Sequence, residues 1–187
     1  MRKLYPVLFA VVAMLAMSSA AAAQMMKENP MVGGAAMYPT KTIVDNAMNS
    51  ADHTTLVAAV KAAGLVGTLN GKGPFTVFAP TNAAFDELPA GTVDTLLKPE
   101  NKEMLTKVLT YHVVAGKYDS KALAKLIAKG KGKAWLKTVN GENLTAMMDG
   151  DKIVLRDEKG GTSTVTTADV YQSNGVIHVV NTVLMPK

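Results

Sequence analysis

The sequence predicts an α+β fold, and three observations lead there. Up to about residue 120, apolar residues recur at helical spacing. Beyond it, the turn pairs Asn140-Gly141, Asp149-Gly150, Gly160-Gly161 and Asn174-Gly175 cut the chain into short β-branched runs. Between Gly73 and Phe85 a strand, a proline stop and a capped helical turn follow one another within thirteen residues. Helices first and antiparallel hairpins afterwards is an α+β division.

The chain opens with Arg2 and Lys3, a fourteen-residue apolar run Leu4–Met17, and Ala21-Ala22-Ala23. A basic tip, an apolar stretch and an A-x-A site describe a secretory signal peptide, residues 1–23, cleaved after Ala23. A bilayer span needs about 20 apolar residues, and this run is shorter and broken by Pro6. The expected product is a secreted or periplasmic monomer without a transmembrane anchor. Loss of the two leading cations lowers the formal charge of +5 by two, leaving a mildly basic chain. With no cysteine, it has no disulfide, no thiol chemistry and no site for a lipid anchor. Residues 24–37 hold Met25, Met26, Met31 and Met37 among Pro, Gly and Ala and read as a disordered leader. Their thioethers are of a kind that binds Cu(I), but nothing fixes their spacing.

From Tyr38 to Lys187 the expectation is a single domain. Ile43, Val44, Ala47 and Met48 mark a short helix. Asp52 is the expected N-cap of the next, with Leu56, Ala59, Val60 and Ala63 as its apolar stripe and Gly64 as a left-handed stop. His53 then lies in the first turn, on the surface. Phe75–Ala79 is apolar on both faces, as a strand buried on both sides must be, and Pro80 ends it. Thr81 or Asn82 caps the helical turn carrying Phe85 and Leu88. Val93–Leu97 gives another turn or two of helix. Asn101 is expected to cap a helix whose stripe runs Met104, Leu105, Val108, Leu109 and His112, burying His112, and Val113-Val114 turns extended. From Ser120 a further helix points Leu123, Leu126 and Ile127 inward. The strands follow at 134–139, 143–148, 152–156, 162–167 and 176–184.

The segment GPFTVFAPTNAAF (Gly73–Phe85) resembles the first signature of fasciclin domains. Leu109–Val114, with Tyr111-His112 at its centre, resembles their Tyr-His segment, and Asn174–Pro186 their closing strand. The three occur in the family's order. The resemblance implies a compact β-wedge with helices packed along one edge, and an adhesion or matrix module with no enzymatic activity and no cofactor. In animal members, adhesion has been attributed to the Tyr-His segment and to an Asp-Ile pair before the last strand. The matching positions are Tyr111, His112, Asp169 and Val170, the last a valine where the family has isoleucine. The family usually has Asp at the position of Asn181.

No enzyme motif stands out. There is no G-x-S-x-G elbow, no H-E-x-x-H and no phosphate loop. His53, His112 and His178 fall on separate elements, none with a ligand partner at i+3 or i+4, so no metal site is expected. Asn143-Leu144-Thr145 matches a glycosylation sequon. Lys121, Lys125, Lys129, Lys131, Lys133 and Lys137 lie in seventeen residues that hold no Asp or Glu, with Trp135 among them. That run is either a solvated helix face with a loop, or a surface for polyanions or anionic headgroups. The function expected is adhesion or surface interaction through a protein or glycan, with polyanion binding as the alternative and no nucleic-acid partner.

Overall fold

A computed structural model describes residues 29–187; the expected signal peptide and residues 24–28 lie outside the described residues. The helices are α1 (Ile43–Ala47), α2 (Thr54–Ala63), α3 (Val66–Leu69), α4 (Asn82–Asp86), α5 (Thr92–Leu97), α6 (Lys102–Tyr111) and α7 (Ser120–Lys129). The strands are β1 (Phe75–Pro80), β2 (Val113–Ala115), β3 (Lys133–Lys137), β4 (Asn143–Asp149), β5 (Lys152–Arg156), β6 (Thr162–Gln172) and β7 (Gly175–Val180). The α+β expectation and the four hairpin turns hold.

All seven strands form one sheet in the order β2-β1-β7-β6-β5-β4-β3. Every pairing is antiparallel except that of β7 with β1. The sheet curls until its ends nearly meet: Thr138 bridges Val114, and the Val139 amide donates to the Val113 carbonyl at 2.8 Å. Curling creates two cores. Outside β1 and β7, the residues Val77, Ala79, Ile177 and Val179 pack against Leu56, Val60, Leu105 and Leu109 of the helices. Inside the curl, Phe78 and Val180 meet Leu123 and Ile127 of α7 and the inward residues Leu136, Leu144 and Leu155. Successive residues of β1 thus feed opposite cores, which is why its sequence is apolar on both faces.

Several local expectations change once distant segments are in place. Gly64 is left-handed as expected, at φ 75°. Asp52, however, falls in a 3-10 turn, Ala51–His53, and caps nothing at the start of α2. That cap comes from across the fold. Thr81 caps α4, its hydroxyl accepting from the Ala84 amide at 3.3 Å, which frees Asn82. The Asn82 carboxamide oxygen accepts from the Thr55 amide at 3.0 Å, and its nitrogen donates to the Ala51 carbonyl at 2.8 Å. Asn101 ends a 3-10 turn, and its side chain donates to the Thr95 carbonyl instead of capping α6. Met104 and Leu126, expected inward, lie at the solvent margin of narrower stripes.

The expected leader also differs. Residues 29–37 are packed on the fold, with Val32 and Met37 in the outer core. The Asn29 carboxamide exchanges hydrogen bonds with the Tyr171 backbone, donating at 2.6 Å and accepting at 2.8 Å. Gly33, at φ 59°, passes so close to Ser50 and Asp52 that a Cβ would stand 2.5 Å from the Ser50 hydroxyl oxygen and 2.7 Å from the Asp52 nitrogen. Only glycine meets both demands. Ordered packing therefore begins before Tyr38.

Asn174 ties these layers together. Its carboxamide oxygen accepts from the Ile43 amide at 3.0 Å, and its nitrogen donates to the carbonyls of Leu69 at 2.7 Å and Gly71 at 3.1 Å. Its own carbonyl accepts from the Phe75 amide at 3.0 Å. Asn174→Ala leaves buried polar groups of α1 and α3 unpaired, at about 1–3 kcal/mol each. Urea unfolding of this variant should show a loss of roughly 2–4 kcal/mol; a loss below about 1 kcal/mol would show that the clamp is dispensable.

Candidate interaction surface

The four positions singled out by the Tyr-His and Asp-Val segments serve the fold. Tyr111 is wholly buried in the inner core, and its hydroxyl donates to the Asn143 carbonyl at 2.9 Å. Burial pushes its phenol up to about 12. Val170 is buried in the outer core. His112 is buried where α6 meets β2, as its place on the stripe suggested. Its Nε2 lies 3.0 Å from the Leu184 amide, which can only donate, so Nδ1 carries the proton and gives it to the Val108 carbonyl at 2.9 Å. The ring is thereby fixed as one neutral tautomer. Burial holds its pKa down, against upward pulls from the Val108 carbonyl and Asp157.

Asp169 sits at an irregularity in β6 with φ 61°, a left-handed backbone that Asp tolerates better than most residues. Its carboxylate receives both the amide and the hydroxyl of Ser120, each at 2.7 Å. Beside it, Asp119 accepts from the Ala122 amide at 2.8 Å. Two carboxylates at the start of α7 satisfy its first free amides and complement its dipole. The Asp169 amide in turn points at Nδ1 of His178, 3.4 Å away, while His178 Nε2 donates to the Tyr118 carbonyl at 2.8 Å. Asn181 supplies the acceptor its position needs without a charge, taking the Thr164 amide at 2.7 Å.

His53 corrects the surface expectation, for it is buried. The 3-10 turn rolls its ring beneath the Val32–Met37 segment, with Nδ1 at 2.8 Å from the Ser50 hydroxyl. Among the described residues, no three His, Cys, Asp or Glu side chains gather closely enough to hold a metal ion. A narrow apolar seam of about 60 Å³ runs beneath α1, α2 and α3, lined by residues such as Ile43, Leu56, Val60 and Ile177. Its walls carry almost no polar group that would orient a reacting substrate.

The six lysines of the basic run are all exposed, but they do not form one surface. Leu123 and Ile127 of α7 and Ala134 and Leu136 of β3 point into the same inner core. Lys121, Lys125 and Lys129 therefore face away on the outside of the helix, and Lys133 and Lys137 on the outer face of the strand. Lys131 lies in the turn between them, at φ 56°. The outer core reaches β1, β7, Val113 of β2 and Val170 of β6, whereas the outward residues of β3, β4 and β5 are exposed or half-buried, which leaves that face bare. On it stands Trp135, 68% exposed and the only tryptophan of the chain. Strand register sets Trp135 beside Thr145, and Thr145 beside Arg156. The alternation Lys133-Ala134-Trp135-Leu136-Lys137 carried this signal in the sequence; the partnership with Arg156 did not show until the strands were paired.

A model of the fasciclin domain family matches residues 51–186. Protein sll1483 of Synechocystis is 46% identical over 174 residues, covering 92% of this chain and 89% of that protein. The cell surface glycolipoprotein MPB83 of Mycobacterium bovis is 34% identical over 173 residues, covering 88% of this chain and 70% of its own. Among solved structures, a domain pair from the insect cell adhesion molecule Fasciclin I superposes with a TM-score of 0.69 at 19% identity, over 79% of this chain and 51% of that one.

The three buried imidazoles make stability depend on pH. Burial holds each folded-state pKa below the ordinary value of 6.5. The unfolded chain takes up protons as pH falls through 6.5 while the folded rings resist, so stability declines from there downward. Each ring contributes at most about 1.4 kcal/mol per pH unit. Urea midpoints should fall between about pH 7.5 and pH 5.5; a constant midpoint would contradict burial of neutral rings.

Proposed function

The chain belongs to the fasciclin domain family, and from that premise we propose that it is an exported, non-enzymatic adhesion module engaging a surface protein or glycan. The observation that carries the reading is the bare outer face of β3–β5, where an exposed tryptophan stands among cations on a rigid sheet. Buried side chains fix a fold; exposed aromatics on a rigid frame make contacts. Tyr111, His112, Asp169 and Val170 serve adhesion indirectly, by holding the two cores and the start of α7. Kinship with a cell surface glycolipoprotein, and the fold of a cell adhesion molecule, support an extracytoplasmic role. So does the leader read at residues 1–23. Among the described residues, no helix is long and apolar enough to cross a membrane. The working form is a secreted or periplasmic monomer that needs no cofactor and no nucleic acid.

A second reading, polyanion or anionic-headgroup binding, is favoured by one observation. None of the six exposed lysines from Lys121 to Lys137 is ion-paired with a carboxylate among the described residues. Such binding weakens steeply with salt.

The test compares adhesion to a cell-surface or matrix layer with melting temperature on the same samples. Trp135→Ala should reduce adhesion at unchanged melting temperature. Asp169→Asn should lower the melting temperature, since it weakens charge-assisted bonds to Ser120 of about 1.5–3 kcal/mol each. Adhesion insensitive to Trp135 would remove the sheet face from this role.

A further inference from the structure

We propose that the bare face of β3–β5 is a binding platform for an acidic polysaccharide. One sugar ring stacks on Trp135, and Lys133, Lys137 and Arg156 receive the carboxylate or sulfate groups of that ring and its neighbours. The inference rests on reading this face as a contact surface, and it names the ligand class.

The geometry is that of an open, largely polar ledge on the outside of the curled sheet, with one aromatic plate and the half-buried Met147 and Val154 at one side. Lys133 and Lys137 lie two residues to either side of Trp135 on the same face, about 7 Å away along the strand at the usual rise. Arg156 lies two strands across, about 10 Å from Trp135 at ordinary strand spacing. Thr145 stands between them in register, and Asn143 sits opposite Lys137. The platform thus offers a hydrophobic plate, a hydroxyl, a carboxamide and the cations Lys133, Lys137 and Arg156; the carboxylate on the same face, Asp149, closes β4 opposite Lys152, four residues from Thr145. At one end, Glu142 and Glu158 are engaged by Lys107 and Lys187. At the other, Asp149 and Asp151 lie at the β4–β5 turn, beyond the Trp135 row.

Each competing account leaves something unexplained. Lysines on an edge strand guard it against pairing with other sheets, which explains Lys133 and Lys137. It explains neither an indole left in water beside them nor a guanidinium on the interior strand β5. Small molecules bind in concave sites that enclose most of their surface, and this face is the open outer side of a curled sheet. The centres of protein interfaces are depleted in lysine, whereas here lysine flanks the one aromatic anchor. An open face with a ring-sized plate and spaced cations suits an extended, repeating, anionic chain, which gains avidity by engaging several units.

Because Trp135 is the only tryptophan, its fluorescence reports the site directly. The exported protein is titrated with a polyuronate, a sulfated polysaccharide, neutral dextran, duplex DNA and polyphosphate, at low and high salt. The expected result is a saturable indole response to the acidic polysaccharides that weakens with salt, and none to dextran. With binding read by retardation on the immobilised polymer, Trp135→Ala should weaken it about tenfold or more. Lys133→Gln with Lys137→Gln should do the same, and both variants should melt like the parent. Lys121→Gln, Lys125→Gln and Lys129→Gln together, on the outside of α7, should change binding less than about twofold. No indole response overturns the proposal. An equal response to DNA and polyphosphate also overturns it, since charge alone would then be read. Adhesion lost in Trp135→Ala without any polysaccharide response sinks this proposal and leaves the adhesion reading standing. Polysaccharide binding in a protein that adheres to nothing does the reverse.

Discussion

β7 enters the sheet between β1 and β6, and its parallel pairing with β1 sets a geometric demand that the rest of the chain meets. Parallel neighbours cannot be joined by a tight turn; here everything from α4 to β6 is the connection. The pairing puts β1 and β7 in the interior of the sheet, each apolar on both faces, so one layer of helices must cover them outside and a second core must form inside. Asn174, at the turn before β7, holds that arrangement in register by bonding α1, the end of α3 and the start of β1 with one residue. Without those bonds three segments would bury unpaired backbone groups at the same place.

Buried polarity elsewhere follows the same logic. His112 and His178 each give a proton to a carbonyl and face an amide with the other nitrogen, so each ring is a neutral crosslink between segments distant in sequence. Asp169 accepts a left-handed backbone and in exchange fastens α7 to β6. The residues that look reactive in the sequence are therefore spent on structure, and interaction falls to side chains that the fold does not need. Trp135 and Arg156 are the clearest of these.

What was legible in the sequence was what depends on neighbours along the chain. The strand, proline and capped turn at Gly73–Phe85, the left-handed Gly64 and the four hairpin turns are all fixed by a few adjacent residues. What was not legible depends on segments that meet only in the fold. Asp52 is a good capping residue by type, yet Asn82 arrives from another element and takes the role. His53 looks like a surface residue until Val32–Met37 crosses over it. The lysine run reads as one basic surface because sequence proximity hides the fact that α7 and β3 turn their inner sides to a common core. Family resemblance directed attention to Tyr111 and Asp169, but burial and bonding are three-dimensional properties that a motif does not carry.

The position of β7 also has a consequence for how the molecule comes into being. Phe75 must wait for Gly175, so a growing chain holds its first strand without a permanent neighbour on that side until a hundred further residues have been made. Long-range pairing of this kind delays folding and leaves apolar segments uncovered meanwhile. The same arrangement makes damage asymmetric: a nick just before β7 would not fray an edge but withdraw an interior strand. Chains that stop short of β7 are thus denied the pairing that closes the two cores.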